Sequence, residues 1–156
     1  MSLNPDWASS SGAYAVHRGR VAGFIVPRSA RATHAAVWHG AAASAEGLHS
    51  ALPAGLLNST ALGVSWDRRT VRVVGMAYTS SSRMSRAFLW TKDRCPADFN
   101  DDGSVDAADL AAFLAAFDDA DDPFADLVDY NDDGFIDFFD WVAFLDQFEH
   151  GCPEPG

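Results

Sequence analysis

Two twelve-residue segments in the C-terminal half carry the same spacing of aspartate, asparagine and glycine. DFNDDGSVDAAD begins at Asp98 and DYNDDGFIDFFD begins at Asp129, a shift of 31 residues (129 − 98). Both fit the pattern D-x-N-x-D-G-x-[VI]-D-x-x-D. The shift continues beyond the segments, because Phe113 corresponds to Phe144. Each copy is therefore expected to fold in the same way, as loop one (98–109) and loop two (129–140).

The spacing within each loop suits a calcium ion. Ca²⁺ takes six to eight oxygen ligands, and side chains at positions 1, 3 and 5 converge on it when glycine at position 6 permits a sharp turn. Position 7 offers a main-chain carbonyl, position 9 binds directly or through water, and position 12 closes the sphere. The alternative is an acidic, solvated turn, which two matches in register disfavour. Two Ca²⁺ ions are predicted, held by Asp98, Asn100, Asp102, Ser104 (carbonyl), Asp106 and Asp109, and by Asp129, Asn131, Asp133, Phe135 (carbonyl), Asp137 and Asp140.

An amphipathic helix is predicted after each loop. Apolar residues recur at i, i+3, i+4 and i+7, which predicts one buried stripe per helix. Asp121-Asp122-Pro123 has the character of a helix start and predicts a short helix over 123–128. Position 8 of each loop is expected to pair the loops through a β-bridge between Val105 and Ile136. The predicted stripes are Leu110, Phe113, Leu114 and Phe117, then Trp141, Phe144, Leu145 and Phe148.

Residues 1–92 have a different pattern, of short apolar runs separated by turn formers, which predicts β-strands. The segment RVAGFIVPRSARATHAAVWHG aligns without a gap with RVVGMAYTSSSRMSRAFLWTK at a shift of about 52, placing Gly23 on Gly75 and Trp38 on Trp90. A period of this size in short strands is typical of propeller blades, and 92 residues hold too few blades to close a ring. The sequence thus predicts incomplete, blade-like antiparallel repeats. The predicted strand segments are AYAVHRG, RVAGFIV, HAAVWHG, ALGVSWD, VRVVGMAY and RAFLW.

Charge supports a boundary between residues 1–92 and 93–156. The first segment has ten of the eleven Lys and Arg and three of the 22 Asp and Glu (10 − 3 = +7), and the second has one Arg and nineteen acids (1 − 19 = −18). The overall charge of −11 argues against nucleic acid as a partner. No uninterrupted apolar stretch is long enough for a transmembrane helix. No nucleophile with a nearby base is recognisable, so the chain is predicted not to be an enzyme.

The acidic half resembles the dockerins, which are paired calcium-loop modules that dock secreted proteins onto cohesins. Asp at position 12 (Asp109 and Asp140), in place of the Glu of most EF-hand loops, is typical of them. CPADFNDDG and the later HGC resemble the variety found at the C-termini of planctomycete-type secreted proteins. The resemblance implies a cohesin-like or other secreted or surface partner. It also implies that loop positions 10 and 11 face this partner, here Ala107, Ala108, Phe138 and Phe139.

Within the second of these pairs, helical geometry predicts a difference. Phe138 lies near the apolar stripe and is expected in the core, whereas Phe139 is expected to be partly exposed.

Residues 1–92 resemble the HAF-type extracellular repeats. The segments that carry the resemblance are His34-Ala35-Ala36-Val37-Trp38 and Arg86-Ala87-Phe88-Leu89-Trp90. The resemblance implies secretion and no established catalysis.

Two cysteines bracket the acidic half. Cys95 precedes loop one, and Cys152 follows the helix predicted after loop two. An even number of cysteines in a protein interpreted as exported favours a disulfide, with two free thiols as the alternative. No secretory signal opens the chain, so the protein is expected to be either cytosolic or a fragment of a longer precursor. The rest of the sequence favours a fragment of a secreted or cell-surface protein.

The predicted fold class is α+β by modules. Residues 1–92 form the antiparallel β repeats, and residues 93–156 form a small all-α dockerin or EF-hand-like domain with two calcium loops. The predicted function is a non-catalytic, calcium-binding docking module. Two alternatives stay open: the C-terminal fragment of a secreted carbohydrate-active enzyme, and an EF-hand calcium sensor or buffer.

Overall fold

The computed structural model describes residues 2–79, 85–119 and 125–152. The chain divides into two compact units. The first comprises Met1–Trp66 and Val71–Lys92, and the second comprises Asp67–Thr70 and Asp93–Gly156. The second unit is therefore discontinuous in sequence, because it includes four residues that lie between two strands of the first. No helix in the described part of the chain is long and apolar enough to cross a membrane.

The β-strands form two antiparallel sheets. The first has the order β1-β2-β3-β4, and the second has the order β5-β6-β7. Each predicted run of apolar residues lies in a strand, so the antiparallel β part of the predicted fold is confirmed. The strands are β1 (Ala8–His17), β2 (Arg20–Pro27), β3 (His34–His39), β4 (Glu46–Gly47), β5 (Asn58–Trp66), β6 (Thr70–Tyr78) and β7 (Ser85–Asp93), with 3₁₀ turns at Ala42–Ser44 and His49–Ala51.

The repeat in the sequence corresponds to a repeated backbone irregularity. β1 and β2 slip register between Ala13 and Ala15, opposite Gly23. β5 and β6 slip in the same way between Ala61 and Gly63, opposite Gly75. An extra residue on one strand is a β-bulge, which bends and twists the strand that carries it. The strands β1–β3 and β5–β7 thus have a β-bulge at the same position of the repeat, as well as similar sequences.

The core of the first unit lies between β5 and the sheet that contains β1, β2 and β3. Trp38 and Ile25 are among its largest fully buried side chains. Ser59 on β5 is also fully buried, and its hydroxyl accepts the N–H of Ala35 at 2.8 Å. The Ser59 N–H donates to the carbonyl of Thr33 at 2.8 Å. A polar residue is accommodated in this core because its hydrogen bonds are made within it.

The prediction of a small all-α C-terminal domain is wrong. The described chain consists mostly of the two antiparallel sheets and has two α-helices, α1 (Ala107–Asp118) and α2 (Phe138–His150). Together with the 3₁₀ turns, these make up 24% of the described residues. The helix expected over 123–128 is represented in the described residues by a single 3₁₀ turn, Ala125–Leu127, and the Asp121-Asp122-Pro123 start lies outside them. In the described part of the segment between the helices, side-chain oxygens of Asp129, Asn131 and Asp133 accept backbone N–H groups of the same segment.

An aromatic cluster forms the core of the second unit. Phe113 of α1 and Phe144 of α2 are both fully buried and stack with their ring centroids 4.1 Å apart. Phe99 meets Phe113 edge-on at 5.4 Å, and Tyr130 meets Phe144 edge-on at 5.5 Å. Phe99 and Tyr130 both occupy position 2 of their loops. Each loop is therefore anchored to the helices by its second residue, and the pairing follows the 31-residue repeat.

Two details of the predicted helices and loops need correction. Leu114 is expected in the buried stripe but is exposed, and Ala116 is buried instead. No β-bridge joins Val105 to Ile136 in the described residues, and Ile136 is exposed. The repeats are instead joined by the stacked phenylalanines and the edge-on aromatic contacts.

Candidate metal centre

Both loops are tightly coiled at the same positions. Position 4 has a left-handed backbone in each, with φ of 62° at Asp101 and at Asp132. Position 6 has φ of 94° at Gly103 and 86° at Gly134. Aspartate tolerates this region better than most residues and glycine adopts it freely. The repeated D-G pair at positions 5 and 6 and the aspartate at position 4 thus match the conformations that the coil requires.

In loop one, side-chain oxygens accept hydrogen bonds from the backbone of the coil. The carboxylate of Asp98 accepts the N–H groups of Asp102 and Gly103, both at 3.0 Å. The side-chain oxygen of Asn100 accepts the N–H of Asp102 at 2.9 Å, and Asp102 accepts that of Ser104 at 2.9 Å. Positions 1, 3 and 5 therefore all turn their oxygens inward along the coil.

Loop two repeats this network closely. Asp129 accepts the N–H groups of Asp133 at 3.0 Å and of Gly134 at 2.9 Å. Asn131 accepts the N–H of Asp133, and Asp133 accepts that of Phe135, both at 2.9 Å. The same bonds at nearly the same lengths indicate that the shared sequence pattern produces a shared geometry.

The carboxylates at position 12 are the most buried acids of the loops. Asp109 and Asp140 are both 0% exposed. Asp109 accepts the N–H groups of Asn100 at 3.1 Å and of Asp106 at 2.8 Å, and Asp140 accepts the equivalent bonds in loop two. Within the described residues, neither forms an ion pair with Lys or Arg. Each position-12 carboxylate therefore ties position 3 to position 9 and lacks a cationic side-chain partner.

Position 9 begins the helix that follows. Asp106 is the N-cap of α1 and accepts the N–H of Ala108 at 2.7 Å. Asp137 caps α2 in the same way, through the N–H of Phe139 at 2.8 Å. A capping carboxylate satisfies N–H groups that a helix end leaves unpaired and interacts favourably with the helix dipole. The residues at positions 9 and 12 thus have structural roles beside the predicted ligand roles.

Burial raises the pKa of the Asp98 carboxyl. The nearby charges of Asp101 and Asp109 raise this pKa further, while the hydrogen bond from Gly103 lowers it.

The described residues contain no group of three or more His, Cys, Asp and Glu side chains in an arrangement that could hold a metal. The predicted ligands lie instead in two matching coils, where their carboxylate oxygens accept hydrogen bonds from backbone N–H groups. Such an oxygen retains a second lone pair.

Two arginines and two acids at the loops were not identified from the sequence. Arg94 contacts loop one and Arg68 contacts loop two. Each arginine donates a hydrogen bond to the aspartate at position 4 of its loop. In the twelve-residue pattern D-x-N-x-D-G-x-[VI]-D-x-x-D, position 4 can be any residue. The 31-residue shift marked Asp101 and Asp132 as equivalent, but no sequence signal connected Arg68 with a loop 61 residues later.

The predicted partner-facing residues are on the surface. Ala107 and Ala108 are exposed at the start of α1. Phe139 is 66% exposed, as expected, but the expectation of a core position for Phe138 is wrong, because it is 68% exposed. The reason is that Phe144, in the middle of α2, supplies the buried ring, while the first turn of the helix lies outside the aromatic cluster. Phe135 is exposed as well, so loop two presents three phenylalanines to solvent.

A disulfide joins Cys95 to Cys152, whose Cα atoms are 5.2 Å apart. It links the residues before loop one to the end of α2, so both loops and both helices lie within the segment that it closes.

No protein-family model matches the chain, and no curated protein or solved structure matches it either.

Proposed function

We propose that the second unit binds two calcium ions, one in each loop, and serves as a docking module of a secreted or cell-surface protein. The observation that carries the proposal is the burial of Asp109 and Asp140 without a cationic side-chain partner in the described chain. An ionised carboxylate is costly to bury unless it is paired or coordinates a metal. Backbone N–H bonds, two to Asp109 and three to Asp140, lower this cost, and a divalent cation would remove most of it.

The donor set has the chemistry that calcium requires. The oxygens come from carboxylates, an asparagine amide and a main-chain carbonyl, which are hard ligands, and the loops contain no sulfur or imidazole that would favour zinc. In loop one, positions 1, 3, 5 and 12 are Asp98, Asn100, Asp102 and Asp109. The coil already brings the first three into one hydrogen-bonded network, and the fourth is bonded to the N–H of Asn100.

Calcium titration of the full chain tests this part of the proposal. Wild-type protein, freed of metal with EDTA and dialysed, is expected to bind two Ca²⁺ per chain by isothermal calorimetry. Asp109→Asn and Asp140→Asn keep the side-chain size and are each expected to lose one site. Asp118→Asn, at the end of α1, is the matched control and should retain both. A wild-type chain that takes up no calcium at millimolar concentration contradicts the proposal.

The docking part rests on the exposed aromatic residues of loop two. Phe138 and Phe139 lie side by side with ring centroids 6.4 Å apart. Ala107 and Ala108 occupy the equivalent positions of loop one, so only one repeat has a large apolar surface there. Buried aromatic anchors contribute most of the affinity in many protein interfaces. The partner that this surface fits has an apolar pocket for the two rings of Phe138 and Phe139.

The test of docking compares two substitutions at equivalent positions. Phe139→Ala is expected to abolish capture of a partner from the secreted fraction of the source cells, whereas Ala108→Ser should leave it intact. Capture should also be lost in EDTA and restored by calcium. Loss of partner in both variants, or retention in both, would show that the phenylalanine does not anchor the complex. Circular dichroism of both variants checks that the helices remain.

A further inference from the structure

We propose that Arg94 and Arg68 are positioning residues, one for each loop, which hold the coil through groups that are not predicted ligands. Each guanidinium bonds to the main-chain carbonyl of position 1 and to the carboxylate of position 4. The consequence for calcium affinity rests on the proposed function, whereas the effect on the metal-free loop does not.

Arg94 holds loop one from the segment just before it. Its Nε donates to Oδ1 of Asp101 at 3.2 Å, and its Nη2 donates to the carbonyl of Asp98 at 3.3 Å. A third bond runs from Nη1 to the carbonyl of Asp67 at 3.0 Å. The side chain is only 4% exposed. The guanidinium is therefore fixed by several acceptors and closely packed.

Arg68 makes the equivalent contacts with loop two. Its Nη1 donates to the carbonyl of Asp129 and its Nη2 to Oδ1 of Asp132. The guanidinium also lies over the ring of Tyr130, 4.8 Å from the ring centroid. Its side chain is 9% exposed, whereas that of the neighbouring Arg69 is 70% exposed.

The two arginines do not derive from the 31-residue repeat. The residue 31 positions after Arg94 is Ala125, and it cannot provide this contact. Arg68 comes instead from Asp67–Thr70, between β5 and β6. That turn is closed by Asp67, whose carboxylate accepts the N–H groups of Arg69 at 2.9 Å and Thr70 at 2.8 Å. Two unrelated segments thus each place a guanidinium against the position-1 carbonyl and the position-4 carboxylate of a loop. This indicates that each loop requires a guanidinium at these two acceptors.

The chemistry explains the requirement. Position 4 holds a left-handed backbone that a non-glycine residue adopts at a cost. Its carboxylate adds negative charge to a loop that already has four other acids. A planar guanidinium presents five donors in a fixed arrangement, so it can bond a carbonyl and a carboxylate at once and offset the charge. A lysine ammonium carries the same charge but lacks the planar arrangement of donors. It also could not stack on Tyr130 as the Arg68 guanidinium does.

Hydrogen exchange of two glycine amides measures each loop separately. The N–H of Gly103 donates to Asp98, and that of Gly134 donates to Asp129. In ¹⁵N-labelled full-length protein with EDTA, Arg68→Gln is expected to speed exchange at Gly134 by about tenfold or more and to leave Gly103 unchanged. Arg94→Gln should give the reverse pattern.

Two further variants separate positioning from charge. Arg69 is exposed and its Nη2 lies 3.8 Å from the Asp132 carboxylate, beyond hydrogen-bond distance. Arg69→Gln therefore removes a positive charge near the same acceptor without removing a hydrogen bond, and is expected to change neither amide. Arg68→Lys keeps the charge and should behave like Arg68→Gln at Gly134. If Arg68→Gln prevents folding, Asp132→Gly removes the acceptor from an exposed residue, retains the left-handed backbone there and should still speed exchange at Gly134. Equal effects of Arg68→Gln and Arg69→Gln, or wild-type protection in Arg68→Lys or Asp132→Gly, would overturn the proposal.

Calcium binding is then measured on the same variants. Arg68→Gln is expected to weaken the loop-two site about tenfold, because the ion must now order the coil itself. If wild-type protein binds no calcium, the proposed function fails while the exchange data still decide the role of the arginines. If wild-type protein binds calcium but exchange at Gly134 is insensitive to Arg68, the positioning role alone is rejected.

Discussion

At the scale of single residues, the two repeated glycines of the β-strands have a steric reason. A Cβ at Gly75 would lie 2.1 Å from the carbonyl oxygen of Thr60, and one at Gly23 would lie 1.9 Å from that of Gly12. Both distances are far below van der Waals contact and involve backbone atoms. The neighbouring strand bulges toward the glycine, so no rotation of a side chain relieves the clash.

Gly75→Ala is therefore expected to lower the free energy of unfolding by about 1–3 kcal/mol or more, because β5 must shift away from β6. Gly47→Ala is the matched control, since a Cβ at that residue would have no neighbour within 4 Å and the backbone there is not left-handed. It should change stability by less than about 0.5 kcal/mol. Urea unfolding followed by tryptophan fluorescence measures both. Equal stability of Gly75→Ala and the wild type would contradict the steric explanation.

At the scale of elements, β3 and the 3₁₀ turn at His49–Ala51 meet through two histidines. The rings of His34 and His49 stack with centroids 4.0 Å apart and an interplanar angle of 2°. Burial lowers the pKa of both, and the charge of His49 lowers the pKa of His34 further. Nδ1 of His49 also lies 2.7 Å from the hydroxyl of the buried Ser59. Two positive charges at this distance would repel, so the pair favours the neutral state.

Stability of the first unit is expected to fall as the pH is lowered from about 7.5 to about 5.5. Below the ordinary histidine pKa of 6.5 the unfolded chain takes up protons before the folded one, and the loss continues until the lowered folded pKa values are reached. His34→Gln should flatten this dependence, whereas His39→Gln, at the other end of β3, should not. Melting temperatures across the pH range measure it. An unchanged pH slope in His34→Gln would exclude the stacked pair as its source.

Local patterns were sufficient to predict the strands and the loops that precede the helices. Alternating short apolar runs located β1 to β3 and β5 to β7, and the twelve-residue pattern located the starts of α1 and α2 at position 10 of each loop. The small all-α domain was wrong because helical spacing extends only over the segments after the loops. The role of Arg68 was not predictable, because it depends on a turn that is distant in sequence, and the exposure of Phe138 depends on which ring of α2 enters the core.

At the scale of the whole molecule, the second unit cannot be excised at a single point in the sequence. The segment 93–156 contains both loops and both helices but lacks Asp67–Thr70. It therefore lacks Arg68, and Arg94 loses its bond to the carbonyl of Asp67. The boundary that composition and charge indicate near residue 92 thus differs from the boundary of the unit by four residues.

A fragment of residues 93–156 is expected to have lower helicity and a lower melting temperature in EDTA than the same segment within the full chain. Loop two should be affected more than loop one, since Arg94 remains and Arg68 is absent. Exchange rates at Gly103 and Gly134 in the fragment and the full chain give the comparison. Identical protection of Gly134 in both would mean that loop two is independent of the missing turn.

The disulfide has a mechanical consequence for the second unit. Cys95 and Cys152 are 57 residues apart, and everything between them lies in parallel with the sulfur bridge. A force that pulls on the chain before Cys95 and after Cys152 passes through the disulfide, so loop one and loop two bear no tension from it. In single-molecule stretching, the oxidised protein is expected to extend by about 200 Å less than the reduced protein, from 57 residues at about 3.5 Å each. The oxidised second unit thus bears such a load without extension of either loop.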